Sequence, residues 1–157
     1  MEFENINDDL SGIKGWLIVA AIGVILRPIT LLISLIGSIS FIGSDSGRAL
    51  TTVGAEFYHP LWEPSLYFEL ITSILFFIVS LFLIYFFFKK KARFPKMIII
   101  YFVSYGLTLI IITILLSIIM PYDISSNWGE TIVNLIPIII WCIYFFKSER
   151  VRNTFIN

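Results

Sequence analysis

One cysteine, Cys142, and one histidine, His59, are the chain's whole supply of thiol and imidazole. A single cysteine excludes an intramolecular disulfide, and no CxxC or Cys/His spacing points to zinc. Charge is also scarce: Asp, Glu, Lys and Arg make up 14% of the residues, where soluble domains average about 25%. Eleven basic residues balance eleven acidic ones, so the net charge of zero selects no partner by sign. No segment is basic and aromatic enough for nucleic-acid binding. The side expected to be cytoplasmic also lacks a Ser-His-Asp order and a glycine-rich phosphate loop. Neither an enzyme nor a cofactor is therefore expected.

What fills the chain instead is apolar: 58% of the residues are hydrophobic, with a mean hydropathy of +0.92. That composition predicts an integral membrane protein. Four apolar runs can be drawn, at about 15–42, 65–88, 97–120 and 130–146, within one four-span domain covering 1–157. The first three are long enough to cross a hydrocarbon core about 30 Å thick, and the fourth, short and holding Asn134 and Pro137, is bounded by Trp128 and Tyr144 as interfacial anchors. They are too long and too little alternating for barrel strands, so the expected fold is all-α, an integral membrane four-helix bundle. A signal peptide is the competing reading of the first run. The acidic start "MEFENINDD", the length of the run and the lack of a small-x-small cleavage site argue against it.

Orientation follows from the basic residues of the short flanking segments. Placing the N-terminus, the loop between spans two and three and the C-terminus on one side gives that side nine cations. They are Lys14, Lys89, Lys90, Lys91, Arg93, Lys96, Lys147, Arg150 and Arg152. The opposite side holds only Arg48, beside Asp45, Glu56, Glu63 and Asp123. Both termini are expected to be cytoplasmic. The run "KKKARFPK" thus reads as the device that retains this side, and as a surface attractive to anionic lipid.

Within the spans, the polar residues are the informative ones. The first span carries Arg27 followed by Pro28, and a charge near a helix centre costs about 3 kcal/mol on insertion scales. At 100° per residue, Trp16, Ala20, Gly23, Thr30, Ser34 and Ser38 lie on the side of Arg27. This small and polar stripe is expected to face neighbouring helices, with Leu, Ile and Val turned to lipid. Span two repeats the pattern more weakly through Glu69, Ser73 and Ser80. Span three shows Tyr101, Ser104, Tyr105 and Thr108 on one side and Gly106, Thr113 and Ser117 on the other, which suits contact with neighbours on both.

Pro28 has no N–H, so the Val24 carbonyl loses its helical donor and offers Arg27 one acceptor. The guanidinium has five donors, and Glu69 is the only carboxylate inside an apolar run. If Glu69 lies level with Gly37, Arg27 sits ten residues deeper, about 15 Å, so a direct pair requires span two to sit deeper or span one to bend at Pro28, and otherwise water or a bound anion bridges them. Three readings of Arg27 stay open: a structural tie through carbonyls, Glu69 and water; a ligand or anion site with Thr30, Ser34, Glu69 and Ser73 as candidate lining; and snorkelling. His59 with Glu56 and Glu63 in the second flanking loop reads as an interfacial turn more readily than as a metal site. The tail "KSERVRNTFIN" is expected to continue the fourth span as a short amphipathic helix lying on the membrane surface.

Four stretches, in order, carry a resemblance: "GIKGWLIVAAIGVILRPI", "PLWEPSLYFEL", "KKKARFPKMII" and "IWCIYFFKSERVRNTF". Its most specific residues are Gly12, Gly15, Trp16, Glu69, Arg93, Phe94, Pro95, Trp141, Tyr144, Ser148, Arg150, Val151, Asn153, Thr154 and Phe155. Together they resemble a bacterial family of small four-span inner-membrane proteins known only as a domain of unknown function, to which YdgK-like proteins belong. The resemblance implies four spans in a bacterial cytoplasmic membrane, and no activity or catalytic residue. The expected role is therefore a non-enzymatic, accessory or interaction component of that membrane. Its expected partners are membrane lipid, other membrane proteins or a second copy. The alternative is a small-molecule or anion carrier built around Arg27.

Overall fold

The computed structural model describes residues 12–121 and 124–156. The acidic leader and Asp123, which entered the charge reading, lie outside the described residues. Six helices follow one another: α1 (Trp16–Gly43), α2 (Asp45–Thr51), α3 (Trp62–Phe88), α4 (Phe94–Ile119), α5 (Ile124–Lys147) and α6 (Glu149–Thr154). Among the described residues there is no strand. Four helices are long and apolar enough to span: α1, α3, α4, and α5 from Asn127 onward. The shortest of these stretches, at 21 residues, covers about 32 Å, enough for the hydrocarbon core.

The helix starts differ from the sequence expectation for a local reason. α3 begins at Trp62 and α4 at Phe94, ahead of the expected 65 and 97, because Pro64 and Pro95 fall in first turns. A first-turn N–H has no helical acceptor, so proline loses nothing there. The segment 43–64, read as loop, contains α2. Ser44 caps it by accepting the Gly47 N–H at 3.1 Å, and Asp45 stands in its first turn. His59 is held in the next turn, its Nδ1 accepting the Leu61 N–H at 3.2 Å.

The turn from α3 to α4 closes tightly. The Lys91 N–H reaches the Phe86 carbonyl and the Lys90 N–H the Phe87 carbonyl, both at 3.0 Å, with Lys90 at φ 49°. That is the left-handed stop of a Schellman motif, occupied here by lysine. At the chain start, Gly12 and Gly15 have φ of 87° and 56°, a region glycine enters without steric cost.

The spans form a row: α1 packs on α3, α3 on α4 and α4 on α5. Among the described residues, α1 and α5 do not pack closely on each other, so the bundle has an open side. On α3 the packing face is the polar one foreseen, with Ser80, Leu83 and Phe87 buried in line with Glu69 and Ser73. α4 contacts neighbours on both sides. Tyr101 faces α1 and α3, whereas Gly106 lies against Leu135 and Ile138, and the Thr113 and Thr131 hydroxyls are hydrogen-bonded between α4 and α5.

α1 requires a correction. Its buried residues are Leu17, Ala20, Ala21, Val24, Pro28, Leu31 and Leu35, while Trp16, Gly23, Thr30 and Ser34 are exposed. The packing face is rotated roughly 90° from the small and polar stripe, counting 100° per residue. Lipid is as apolar as leucine, so hydropathy does not decide which side turns inward. Hydroxyls need no neighbour either: Thr30 Oγ1 donates to the carbonyl of Arg27 at 2.8 Å within its own helix.

The tail also differs from expectation. Ser148 interrupts the helix at φ −70°, ψ 119° and caps α6, which turns back onto the bundle. Val151 and Phe155 are buried with Leu17, Phe87 and Phe94, not laid on lipid. Phe155 stacks on Phe94 at 4.7 Å between centroids, and Thr154 Oγ1 donates to the Gly12 carbonyl at 3.2 Å. Gly12, Phe94, Val151, Thr154 and Phe155, all carriers of the resemblance, thus meet at one end of the bundle. The same contacts place both ends of the described chain on that side.

Candidate functional site

Arg27 lies eleven residues beyond the start of α1 and Tyr105 eleven beyond the start of α4, and the two helices run from the same end. Equal depth brings them together. Arg27 Nε donates to the Tyr101 hydroxyl at 3.0 Å. Its Cζ lies 4.0 Å from the centroid of the Tyr105 ring and 5.9 Å from that of Tyr101. Phe76 of α3 holds both tyrosines by edge contacts, at 5.4 Å to Tyr101 and 5.3 Å to Tyr105. The charge is therefore placed on ring faces, whose negative quadrupole favours a cation, and on one hydroxyl.

That coordination leaves donors over. A guanidinium has five N–H groups, and the Nε–H is the one hydrogen-bonded among the described residues. The side chain is half-buried and forms no ion pair there. It lines a cavity of about 350 Å³ to which all four spans contribute. Gly23 and Val24 of α1, Ser80 and Leu83 of α3, Tyr101 and Phe102 of α4, and Trp141 and Phe145 of α5 are among its walls. It occupies the open side between α1 and α5. Ser80 is turned away from solute chemistry, since its hydroxyl donates to the Phe77 carbonyl at 2.6 Å. The cleft thus sets the Arg27 guanidinium and the Tyr101 hydroxyl among mainly apolar walls.

The other candidate residues are placed elsewhere. Thr30 points outward. Ser34 and Glu69 share a second groove, of about 400 Å³, with Gly37, Ser38, Phe41, Ile42 and Leu66. Glu69 therefore stands level with Gly37 and Ser38, away from Arg27, and the two form no ion pair. Ser73 lies half-buried on α3, one turn from Glu69 toward Phe76. In the basic loop, Lys89, Lys90, Arg93 and Lys96 are exposed and Lys91 half-buried. Tyr101 and Tyr105 were the partners not assigned to Arg27 from sequence. Counting depth from the shared end of α1 and α4 was the signal available for them.

These features define a class: a multi-pass, all-helical membrane protein with an arginine held at mid-span beside a lateral cleft. The chain belongs to the family described as "Protein of unknown function (DUF2569)", whose model matches residues 10–156. No curated protein and no solved structure matches the chain significantly.

Proposed function

We propose that this is a non-enzymatic binding protein of the bacterial cytoplasmic membrane, with both termini cytoplasmic, that holds a lipophilic organic anion in the cleft beside Arg27. The observation that supports it is the uncompensated part of the guanidinium: four N–H donors at mid-span, half-buried, bordering an apolar cavity. An ionised carboxylate accepts two of them side by side, and its hydrocarbon body matches walls made of Val24, Leu83, Phe102 and Phe145. Entry from the open side between α1 and α5 suits a solute that partitions into lipid first.

Trp141 gives a direct readout because it lines the cleft. In nanodiscs, 10-bromodecanoate is expected to quench Trp141 fluorescence saturably, with the signal lost in Trp141→Phe. Arg27→Gln, in samples shown to be folded, is expected to weaken the anion at least tenfold. Gly23→Leu keeps the Arg27 charge but puts a side chain into the cleft one turn away, where an added Cβ meets no atom within 4 Å, and is expected to do the same. Equal quenching by 10-bromodecanol, or an unaltered affinity in both variants, would overturn the reading.

A second reading, association with another membrane protein or a second copy, is favoured by the outward strip of Trp16, Gly23, Thr30 and Ser34 on α1. Small residues allow close helix approach. The orientation has its own test. Cysteines placed at Ser46 and at Ala92, in a Cys142→Ser background, are expected to react from opposite sides of sealed vesicles. Labelling of both by one impermeant maleimide would reject it.

A further inference from the structure

The groove that holds Glu69 is separate from the cleft of Arg27, and it presents the opposite charge. Its polar groups are the Glu69 carboxylate and the hydroxyls of Ser34 and Ser38, and its walls are Phe41, Ile42 and Leu66. Glu69 has no hydrogen-bonded or ion-paired partner for its side chain among the described residues, although it lies within α3. A carboxylate at that position in a span is costly unless something offsets its charge. Gly37 opens the space facing it: a Cβ there would meet no atom within 4 Å.

We propose that this groove is a binding site for an organic primary ammonium. One carboxylate and two hydroxyls make a poor site for calcium, which takes six to eight oxygens and several carboxylates. They match an ammonium well. Its three N–H donors meet three acceptors, Glu69, Ser34 and Ser38, while Phe41, Ile42 and Leu66 take a hydrocarbon body. The approach is built in the same way. A smaller cavity of about 130 Å³, lined by Glu63, Tyr67, Gly47 and Thr51, adjoins the groove through the shared Ile42 and Leu66. Glu63, in the first turn of α3, gives the entrance the charge that draws a cation in.

The test uses the full chain in nanodiscs and hexylamine as probe at pH 7, by titration calorimetry against empty nanodiscs, with hexanol as the uncharged control. Saturable binding of hexylamine and none of hexanol is expected. Glu69→Gln is expected to lower the affinity at least tenfold, and Ser34→Ala with Ser38→Ala by a smaller factor. Should Glu69→Gln fail to fold, Gly37→Leu decides, since it fills the groove from a position with room. It is expected to abolish hexylamine binding while leaving the quenching of Trp141 by 10-bromodecanoate as it was. Equal binding of hexanol, or unchanged hexylamine affinity in Glu69→Gln or in Gly37→Leu, would overturn the assignment. Loss of bromodecanoate quenching in the unaltered chain leaves this site standing and removes only the anion reading.

Discussion

Phe94→Ala is expected to destabilise the bundle by about 3 kcal/mol, at the lower end of the cost of removing a buried phenylalanine. Phe94 is fully buried, with Phe87 at 5.1 Å, Phe145 at 5.7 Å and Phe155 at 4.7 Å between ring centroids. One ring thus joins α3, α4, α5 and the chain after α6. Aromatic pairs contribute about 0.5–1.5 kcal/mol each, so three lost pairs account for most of the figure without a water-transfer contribution. The effect extends beyond global stability. Val151 and Phe155 pack on this cluster, so its loss should free α6 and expose the Arg150 and Arg152 bonds to trypsin. Reversible unfolding in bicelles and the rate of tail cleavage are the measurements. A change below about 1 kcal/mol with unaltered cleavage would show that the cluster is not what holds the tail, since surface substitutions fall in that range.

Arg27→Ala is the second large effect, and two terms oppose each other in it. Removing the charge relieves the insertion cost of about 3 kcal/mol, but an inserted yet unassembled α1 bears that cost too, so much of it cancels. What remains is the loss of the hydrogen bond to Tyr101 and of the contact with the Tyr105 ring. A hydrogen bond to a charged group contributes about 1.5–3 kcal/mol and a desolvated cation–π contact about 2. Discounting for partners found in the unassembled state gives a net loss of about 2 kcal/mol. Tyr101→Phe removes only the hydroxyl and is expected to cost roughly half as much, since the ring remains against Phe76. A double-mutant cycle between Arg27→Ala and Tyr101→Phe isolates the pair. A coupling energy near zero, or an Arg27→Ala protein more stable than the parent, would mean that relief of the buried charge wins.

The two effects divide the molecule by role. The Phe94 cluster lies at the end where the described chain starts and finishes, and it gathers Gly12, Phe94, Val151, Thr154 and Phe155, five of the residues that carry the family resemblance. Arg27 lies at mid-span, where one hydrogen bond and two ring faces hold its position without using all its donors. Aromatic packing is concentrated at the first place and unpaired guanidinium donors at the second.

Much of this was legible along the chain. Hydropathy alone located four spans, because a membrane demands about 20 apolar residues per crossing and leaves their backbone no alternative to helix. Arg27 and Glu69 stood out as charges in apolar runs, and the rise per residue set them about 15 Å apart on the condition that Glu69 lies level with Gly37, with a pairing between them left open. The helices start at Trp62 and Phe94, a turn ahead of the apolar runs, because proline fits a first turn. α2 went unread although Ser44 and Asp45 form a capping signal ahead of it.

The sequence by itself determined the class of protein, its four helices and the anomaly at Arg27, all consequences of transferring side chains and peptide groups into hydrocarbon. The rotation of α1, the tyrosines that hold Arg27, the cleft between α1 and α5 and the return of the tail onto Phe94 were decided by tertiary structure. The reason is physical: lipid rewards an outward leucine as much as a neighbouring helix does. Which face turns inward is then set by shape and by the few polar groups that find each other at equal depth, and equal depth is a relation between helices that no single span contains.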